Sequence, residues 1–153
     1  RQTHSVVTRT YQLSIGWNVS PMLNITCRAD IKDYKRLTSS PLAGYCLSNE
    51  LRWNPDHFIN TCVLRFSCFD IPGFDTRIYQ YEPEVLYGYS VPAYQGRGLR
   101  SVSVIKLCLN RSVSIWLRGG VAWYSDITMI GSGADQTAGN IRADYTVQFQ
   151  VKL

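Results

Sequence analysis

The chain has 153 residues, of which 45% are hydrophobic and 18% are charged, and its formal net charge is +5 at pH 7. This composition excludes a disordered chain and suits one domain with its own core. No apolar run approaches the roughly 20 residues of a membrane-spanning helix, so we expect no membrane insertion. The excess of basic over acidic residues favours anionic partners such as nucleic acid.

Alternating apolar and polar residues predict β-strands from the start of the chain. In the first segment, VVTRTYQLSIGW, five apolar side chains share one face with Arg9: Val7, Tyr11, Leu13, Ile15 and Trp17. A second strand, MLNITCRADIKDY, follows the turn signal Ser20-Pro21. After it, AGYCLSNELRW is interpreted as one short helix.

The later segments continue the strand pattern. HFINTCVLRFSCF carries apolar residues on both faces, and Pro83 interrupts RIYQYEPEVLYGY, which predicts an edge or a break there. SVSVIKLCL, SVSIWL and GVAWYSDITMI are further runs, and the alternation from Ile141 to Leu153 predicts a long final strand. About eight strands without helical connectors predict an all-β fold, an antiparallel eight-stranded jelly roll or β-sandwich over residues 1–153.

The five cysteines have no CxxC spacing, which argues against a structural zinc site. Four of them lie in apolar or alternating segments and are expected to be small buried hydrophobes in a reducing compartment: Cys27, Cys62, Cys68 and Cys108. An odd count cannot be fully paired within one chain. One or two disulfides with a leftover thiol is the alternative.

The sequence offers no catalytic constellation. His4 and His57 are the two histidines, and no nucleophile-elbow, metalloprotease or P-loop motif is present. We therefore expect no enzyme, no catalytic residue, no metal and no cofactor. Two close pairs of acids are interpreted as solvated loop carboxylates and not as Ca²⁺ ligands: Asp30 with Asp33, and Glu82 with Glu84.

Arginine positions suggest a surface for a polyanion. Arg97 and Arg100 lie in a glycine-containing segment near Tyr94, where guanidinium groups can bind phosphate and an aromatic ring can stack on a base. The predicted residues for nucleic-acid contact without sequence readout are Arg1, Arg9, Arg28, Arg97 and Arg100.

Four segments resemble the framework of small icosahedral virus capsid proteins of the circovirus-like or satellite-virus-like kind: VVTRTYQLSI, ITCRADIKDY, SVSIWLR and NIRADYTVQFQVKL. The resemblance implies a jelly-roll subunit whose last strand pairs deep in a sheet, with residues 1–5 the remnant of a flexible N-terminal arm. It implies self-assembly into a shell that packages viral RNA or DNA, formation inside the host cell, localisation in the virion, and a host-surface receptor as a further partner.

A second hypothesis is a binding module, a lectin-like or fimbrial-tip adhesin β-sandwich domain, secreted or on a bacterial cell surface. In this hypothesis Trp17, Trp53 and Trp123 stack on the sugar rings of glycans. Particle size distinguishes the two, because a shell contains tens of subunits and an adhesin domain is a monomer.

Overall fold

One large antiparallel sheet forms the body of the protein. The computed structural model describes residues 6–36, 40–55, 59–131 and 136–152. In chain order, the strands of these residues are β1 (Val6–Ser20), β2 (Leu23–Arg36), β3 (Leu42–Trp53), β4 (Ile59–Ile71), β5 (Ile78–Tyr79), β6 (Ala93–Tyr94), β7 (Gly96–Cys108), β8 (Val113–Tyr124), β9 (Met129–Ile130), β10 (Thr137–Ala138) and β11 (Ile141–Val151).

The seven long strands lie side by side in the order β1-β2-β3-β4-β7-β8-β11, and each pair is antiparallel. The chain therefore runs up and down through one sheet. Connections of five residues or fewer join the strands at one end, which we name the turn end: 21–22, 54–58 and 109–112. At the opposite end, the loop end, the connections are 37–41, 72–95 and 125–140.

The continuous register gives the sheet two chemically different faces. Successive side chains of a strand point to opposite sides, and Tyr11 lies opposite Ile31, which lies opposite Tyr45. One face, which we name the apolar face, takes every second residue of each long strand, starting from the first residue of these ranges: 7–17, 23–35, 43–53, 62–70, 97–107, 113–123 and 141–151. It includes Leu13, Ile25, Leu47, Phe66, Leu99, Val121 and Val147. The remaining residues of these strands form the polar face.

Residues 72–95, named the strap, connect β4 to β7 and cover part of the polar face. The strap contains a single 3₁₀ turn, Phe74–Thr76, and the short pair β5 and β6. A small core is buried between strap and sheet: Cys46, Phe69, Ile71, Ile78 and Tyr94. The rings of Phe69 and Tyr94 pack edge to face with centroids 5.1 Å apart. Each such buried apolar side chain contributes about 1.5–3 kcal/mol, so the strap is held at this end by packing.

Gly44 permits the strap to lie close to β3. A Cβ atom at this position would stand 3.0 Å from the backbone oxygen of Thr76 and 3.2 Å from the side chain of Ile71. Only a residue without a side chain lets the 3₁₀ turn approach the sheet this closely.

The prediction of an antiparallel all-β fold is confirmed, and the first and last predicted strands are β1 and β11. The jelly roll of eight strands is not confirmed, because the long strands lie in one sheet. The short helix predicted at AGYCLSNELRW is wrong, since this segment lies in β3. Its alternation of Tyr45, Leu47, Leu51 and Trp53 with small and charged residues has period two, which tertiary pairing in the sheet stabilises.

The final strand also differs from its expected position. β11 pairs only with β8, so it lies at an edge of the sheet and not deep inside it. The break expected at Pro83 is confirmed, because residues 80–92 contain only an isolated bridge between Glu82 and Ser90. Residues 1–5, the expected arm remnant, lie outside the described residues.

None of the four cysteines expected to be buried is fully buried. Cys27 and Cys68 are exposed on the apolar face, Cys62 and Cys108 are half-buried, and only Cys46 is fully buried. All five are free thiols. The exposure of two apolar-segment cysteines follows from the absence of a described element over that face.

The Cys46 thiol is expected to react with alkylating reagents more slowly than the thiols of Cys27 and Cys68. Burial under the strap raises the pKa of the Cys46 thiol to about 11 from an ordinary value of 9.0, so it is shielded and un-ionised at neutral pH. In buffer without lipid, where nothing covers the apolar face, iodoacetamide should alkylate Cys27 and Cys68 first, as peptide mass spectrometry over time will show. The unfolded chain loses this proton near pH 9 and the folded chain near pH 11, so fold stability should fall as pH rises above about 9. Equal alkylation rates for the three thiols would contradict the burial of Cys46.

Candidate functional site

The apolar face carries a wide band without charged residues. Between residues 11–17, 23–31, 45–53, 62–68, 99–107, 113–123 and 141–151, the side chains on this face include no Asp, Glu, Lys, Arg or His, and three polar ones interrupt it: Asn49, Ser101 and Ser103. We name this surface the apolar band. An apolar surface that extends over seven strands needs an explanation, because soluble monomers rarely expose contiguous apolar patches above a few hundred Å².

Charged residues of the same face stand only beyond the band, at the loop end: Arg9, Asp33, Lys35, Asp70 and Arg97. Arg9 lies opposite Asp33, and Arg97 Nε donates to Asp70 Oδ2 at 2.7 Å. The change from apolar to charged therefore occurs along one line across four strands.

Six of the eight aromatic side chains of the band lie towards its two ends, and the other two, Phe66 and Tyr145, lie between them. Of the six, those near the loop end are Tyr11, Tyr45 and Trp123, and those near the turn end are Trp17, Trp53 and Phe149. All six are more than one-third exposed. Tyrosine and tryptophan combine an apolar ring with a polar group, which suits a boundary between apolar and aqueous surroundings.

The length of the band is measurable along β8. From Trp123 to Val113 this strand advances ten residues, or about 33 Å.

The exposed surface of the whole protein is correspondingly large. It amounts to 10389 Å², whereas a compact monomer of 17.4 kDa exposes about 7,900 Å². The excess of about 2,500 Å² is the order expected when one face of a domain lacks its second layer.

The polar face holds a buried ionic cluster around Glu82 of the strap. The Glu82 side chain is fully buried, and it accepts hydrogen bonds from Arg100, from Arg118 Nη2 at 3.0 Å and from the Tyr94 hydroxyl at 2.7 Å. Arg118 also contacts Asp144 of β11 and lies 3.1 Å from Glu84. The cluster joins the strap to β7, β8 and β11.

The charges of this cluster set the ionisation of its members. Burial lowers the pKa of the Arg100 guanidinium, but hydrogen bonds and the charge of Glu82 outweigh it, so its pKa is raised. Burial raises the pKa of Asp144, but Arg118 and Arg100 outweigh burial and hold the pKa below its ordinary value. Both groups are therefore charged at neutral pH, which favours the docked strap.

A second polar network fixes the strap to β2, β3 and β4. Gln80 donates from Nε2 to Asp30 at 2.6 Å and accepts from the Ser48 hydroxyl at 2.7 Å, and Ser67 donates to Ser48 at 3.0 Å. All four residues are buried. Arg28 completes the network by pairing with Asp30 at 2.7 Å.

Comparisons with protein-family models, curated proteins and solved structures gave no match. The geometry of the two faces is therefore the basis for a functional interpretation.

The structure does not bring the predicted nucleic-acid residues to one surface. Arg9 and Arg97 lie at the loop end of the apolar face, whereas Arg28 and Arg100 lie on the polar face. Arg97 pairs with Asp70, Arg28 with Asp30, and Arg100 with Glu82. Arg1 lies outside the described residues. Nucleic-acid contact by these residues stays a prediction.

The acids expected to be solvated divide into two kinds. Asp30 and Glu82 are buried in the networks described above, which contradicts that interpretation, while Asp33 and Glu84 are half-buried. Within the described residues no group of three or more His, Cys, Asp or Glu is placed to hold a metal ion. The described part of the chain also contains no helix long and apolar enough to cross a membrane. Both histidines, His4 and His57, lie outside the described residues.

Sequence reasoning missed Glu82 and Arg118 as the centre of the polar face. Arg118 stands in the alternating run SVSIWLR, where it occupies the face opposite Leu117. A charged residue inside a strand that also contains Trp116 and Leu117 is the signal that could have indicated a buried ion pair.

Proposed function

We propose that the sheet is embedded in a membrane, with the apolar band against lipid hydrocarbon and the polar face towards a water-accessible interior. The observation that carries this proposal is the band itself, which contains no charge across seven strands and is bordered at the loop end by charged residues on β1, β2, β4 and β7. Along β8 the band is about 33 Å long, and at the inclination of about 40° that is usual in membrane-spanning sheets this length corresponds to their apolar height of about 25 Å.

Two further observations favour lipid over a protein partner. Six of the eight aromatic residues of the band lie towards its two ends, where aromatic residues are enriched in membrane-spanning sheets, while Phe66 and Tyr145 lie between them. Ionic groups are concentrated on the opposite face, where Glu82 and Arg118 are paired. In a protein–protein interface, by contrast, a rim of polar residues surrounds the apolar centre on all sides.

The two edge strands of the sheet carry backbone groups that need partners in hydrocarbon. Unpaired backbone groups cost several kcal/mol in hydrocarbon, and β1 and β11 each pair on one side only. We therefore expect both edges to pair with further strands that close the sheet.

Quenching by brominated lipids tests the proposal. We expect fluorescence of Trp17, Trp53 and Trp123 to be quenched when the protein is reconstituted with phosphatidylcholine brominated on its acyl chains. Trp116 is the matched control, because it lies on the polar face, with Lys106 Nζ 5.2 Å from its ring centroid. Four variants, each retaining one tryptophan and carrying Phe at the other three positions, give the four signals separately.

Quenching of the three apolar-face tryptophans without quenching of Trp116 supports the proposal. Equal quenching of all four, or none, contradicts it.

The capsid subunit predicted from the sequence is a second candidate, and the same apolar face favours it, because a second sheet could cover that face as in a jelly roll. In this case the protein forms particles of tens of subunits in buffer without detergent, and these contain nucleic acid. Size-exclusion chromatography with electron microscopy detects such particles, whose presence would replace the membrane proposal.

A further inference from the structure

A cavity of about 510 Å³ lies between the strap and the polar face towards the turn end. The strap contributes Tyr81, Glu84 and Tyr87, and the sheet contributes Glu50, Arg65 and Trp116. We name it the strap cavity. Its volume is in the range of small-molecule sites, and it is separate from the apolar band.

The charged groups at the cavity balance one another. Glu50 accepts from Arg65 Nε at 3.0 Å and from Arg52 Nη2 at 3.2 Å, and Glu84 is paired with Arg118. Carboxylate oxygens accept and guanidinium groups donate hydrogen bonds. Because these carboxylates and guanidinium groups are paired, the cavity favours a neutral ligand with many hydroxyl groups. An anion would be repelled by the two carboxylates, Glu50 and Glu84.

Three tyrosines extend from the strap beside the cavity. Tyr87 is 90% exposed and Tyr89 is 80% exposed, and the rings of Tyr81 and Tyr89 have centroids 5.7 Å apart. Large flat rings in water are available for contact with the apolar faces of a ring-shaped ligand. Tyrosine is also enriched among residues that carry binding energy.

The backbone of Tyr87 is held in an unfavourable conformation. Its φ angle is 63°, in the left-handed region that glycine adopts without cost. The turn is closed by the hydrogen bond from Gly88 N to Val85 O at 2.9 Å. Because a glycine would relieve this strain, the aromatic ring at position 87 lowers stability locally, as is common at binding sites.

From the balanced charges, the flat aromatic rings and the strained Tyr87, we propose that the strap cavity binds a neutral saccharide. One or more sugar rings stack on Tyr87 and Tyr81, and their hydroxyl groups bond to Glu50, Glu84 and Arg52. This site lies on the polar face and does not depend on what covers the apolar band.

Isothermal titration calorimetry with cellohexaose, maltohexaose and N-acetylchitohexaose tests the proposal on the purified protein. At least one of these neutral oligosaccharides is expected to bind. Tyr87→Gly should weaken that binding by about tenfold or more, while the fold is retained because glycine accepts the positive φ. Tyr87→Phe keeps the ring and should change the affinity by about twofold or less.

Tyr145→Ala is the matched control, because Tyr145 is equally exposed but lies on the apolar face. It should leave saccharide affinity unchanged. Failure of all three oligosaccharides to bind would overturn the inference, and so would binding that survives Tyr87→Gly undiminished. Neither result bears on the quenching of the apolar-face tryptophans.

Discussion

Replacing Glu82 with glutamine is expected to weaken docking of the strap by about 3–5 kcal/mol, the cost of removing one partner from a buried ion pair. The Glu82 carboxylate is fully buried and bonds to both Arg100 and Arg118. Without its charge the two guanidinium groups share fewer acidic partners, and the strap loses its central contact with β7 and β8. We expect the strap to open far more often in this variant.

Alkylation of Cys46 measures this opening, because its thiol lies under the strap in contact with the small core. At about 1.4 kcal/mol per factor of ten, the alkylation rate should rise by about two orders of magnitude or more. Asp70→Asn is the control, since its partner Arg97 is largely exposed and such pairs contribute about 0–1 kcal/mol. An unchanged rate in a folded Glu82→Gln protein would show that the ionic cluster does not hold the strap.

The sequence predicts the strands of this protein well because the signal is local. Alternation in VVTRTYQLSIGW and NIRADYTVQFQVKL identifies β1 and β11, and Pro83 marks the irregular strap. The arrangement of the strands in one sheet depends on distant pairing, for example between Phe66 and Ser101. Periodicity specifies which residues share a face, but not whether a second layer covers that face.

The candidate site was harder to predict for the same reason. Glu82 resembles a solvated acid in the sequence because it adjoins Pro83, and it is buried only because the strap folds back onto Arg100 and Arg118. The apolar band is hard to see in the sequence because its residues alternate with residues of the opposite face, which include both charged side chains such as Arg118 and apolar ones such as Val102. The expectation of no membrane insertion considered continuous apolar runs, which a strand with alternating polarity does not contain.

Replacing Phe66 with arginine is expected to destabilise the membrane-inserted protein by about 2–4 kcal/mol. Phe66 stands on the apolar face of β4, a strand in the middle of the sheet, and it is 55% exposed in the isolated chain. An arginine near the middle of the hydrocarbon carries this cost. In water the same half-exposed position should tolerate arginine within about 0.5 kcal/mol.

Tyr45→Arg is the matched control, because Tyr45 is also aromatic and half-exposed but lies at the loop end, where its hydroxyl donates to Asp70 at 3.3 Å. Near the interface an arginine costs about 0–1 kcal/mol. Reversible urea unfolding from phosphatidylcholine vesicles, followed by tryptophan fluorescence, gives both free energies. If Phe66→Arg costs no more than Tyr45→Arg, the apolar band does not lie in hydrocarbon, because only a low-dielectric medium distinguishes the centre of this face from its charged end.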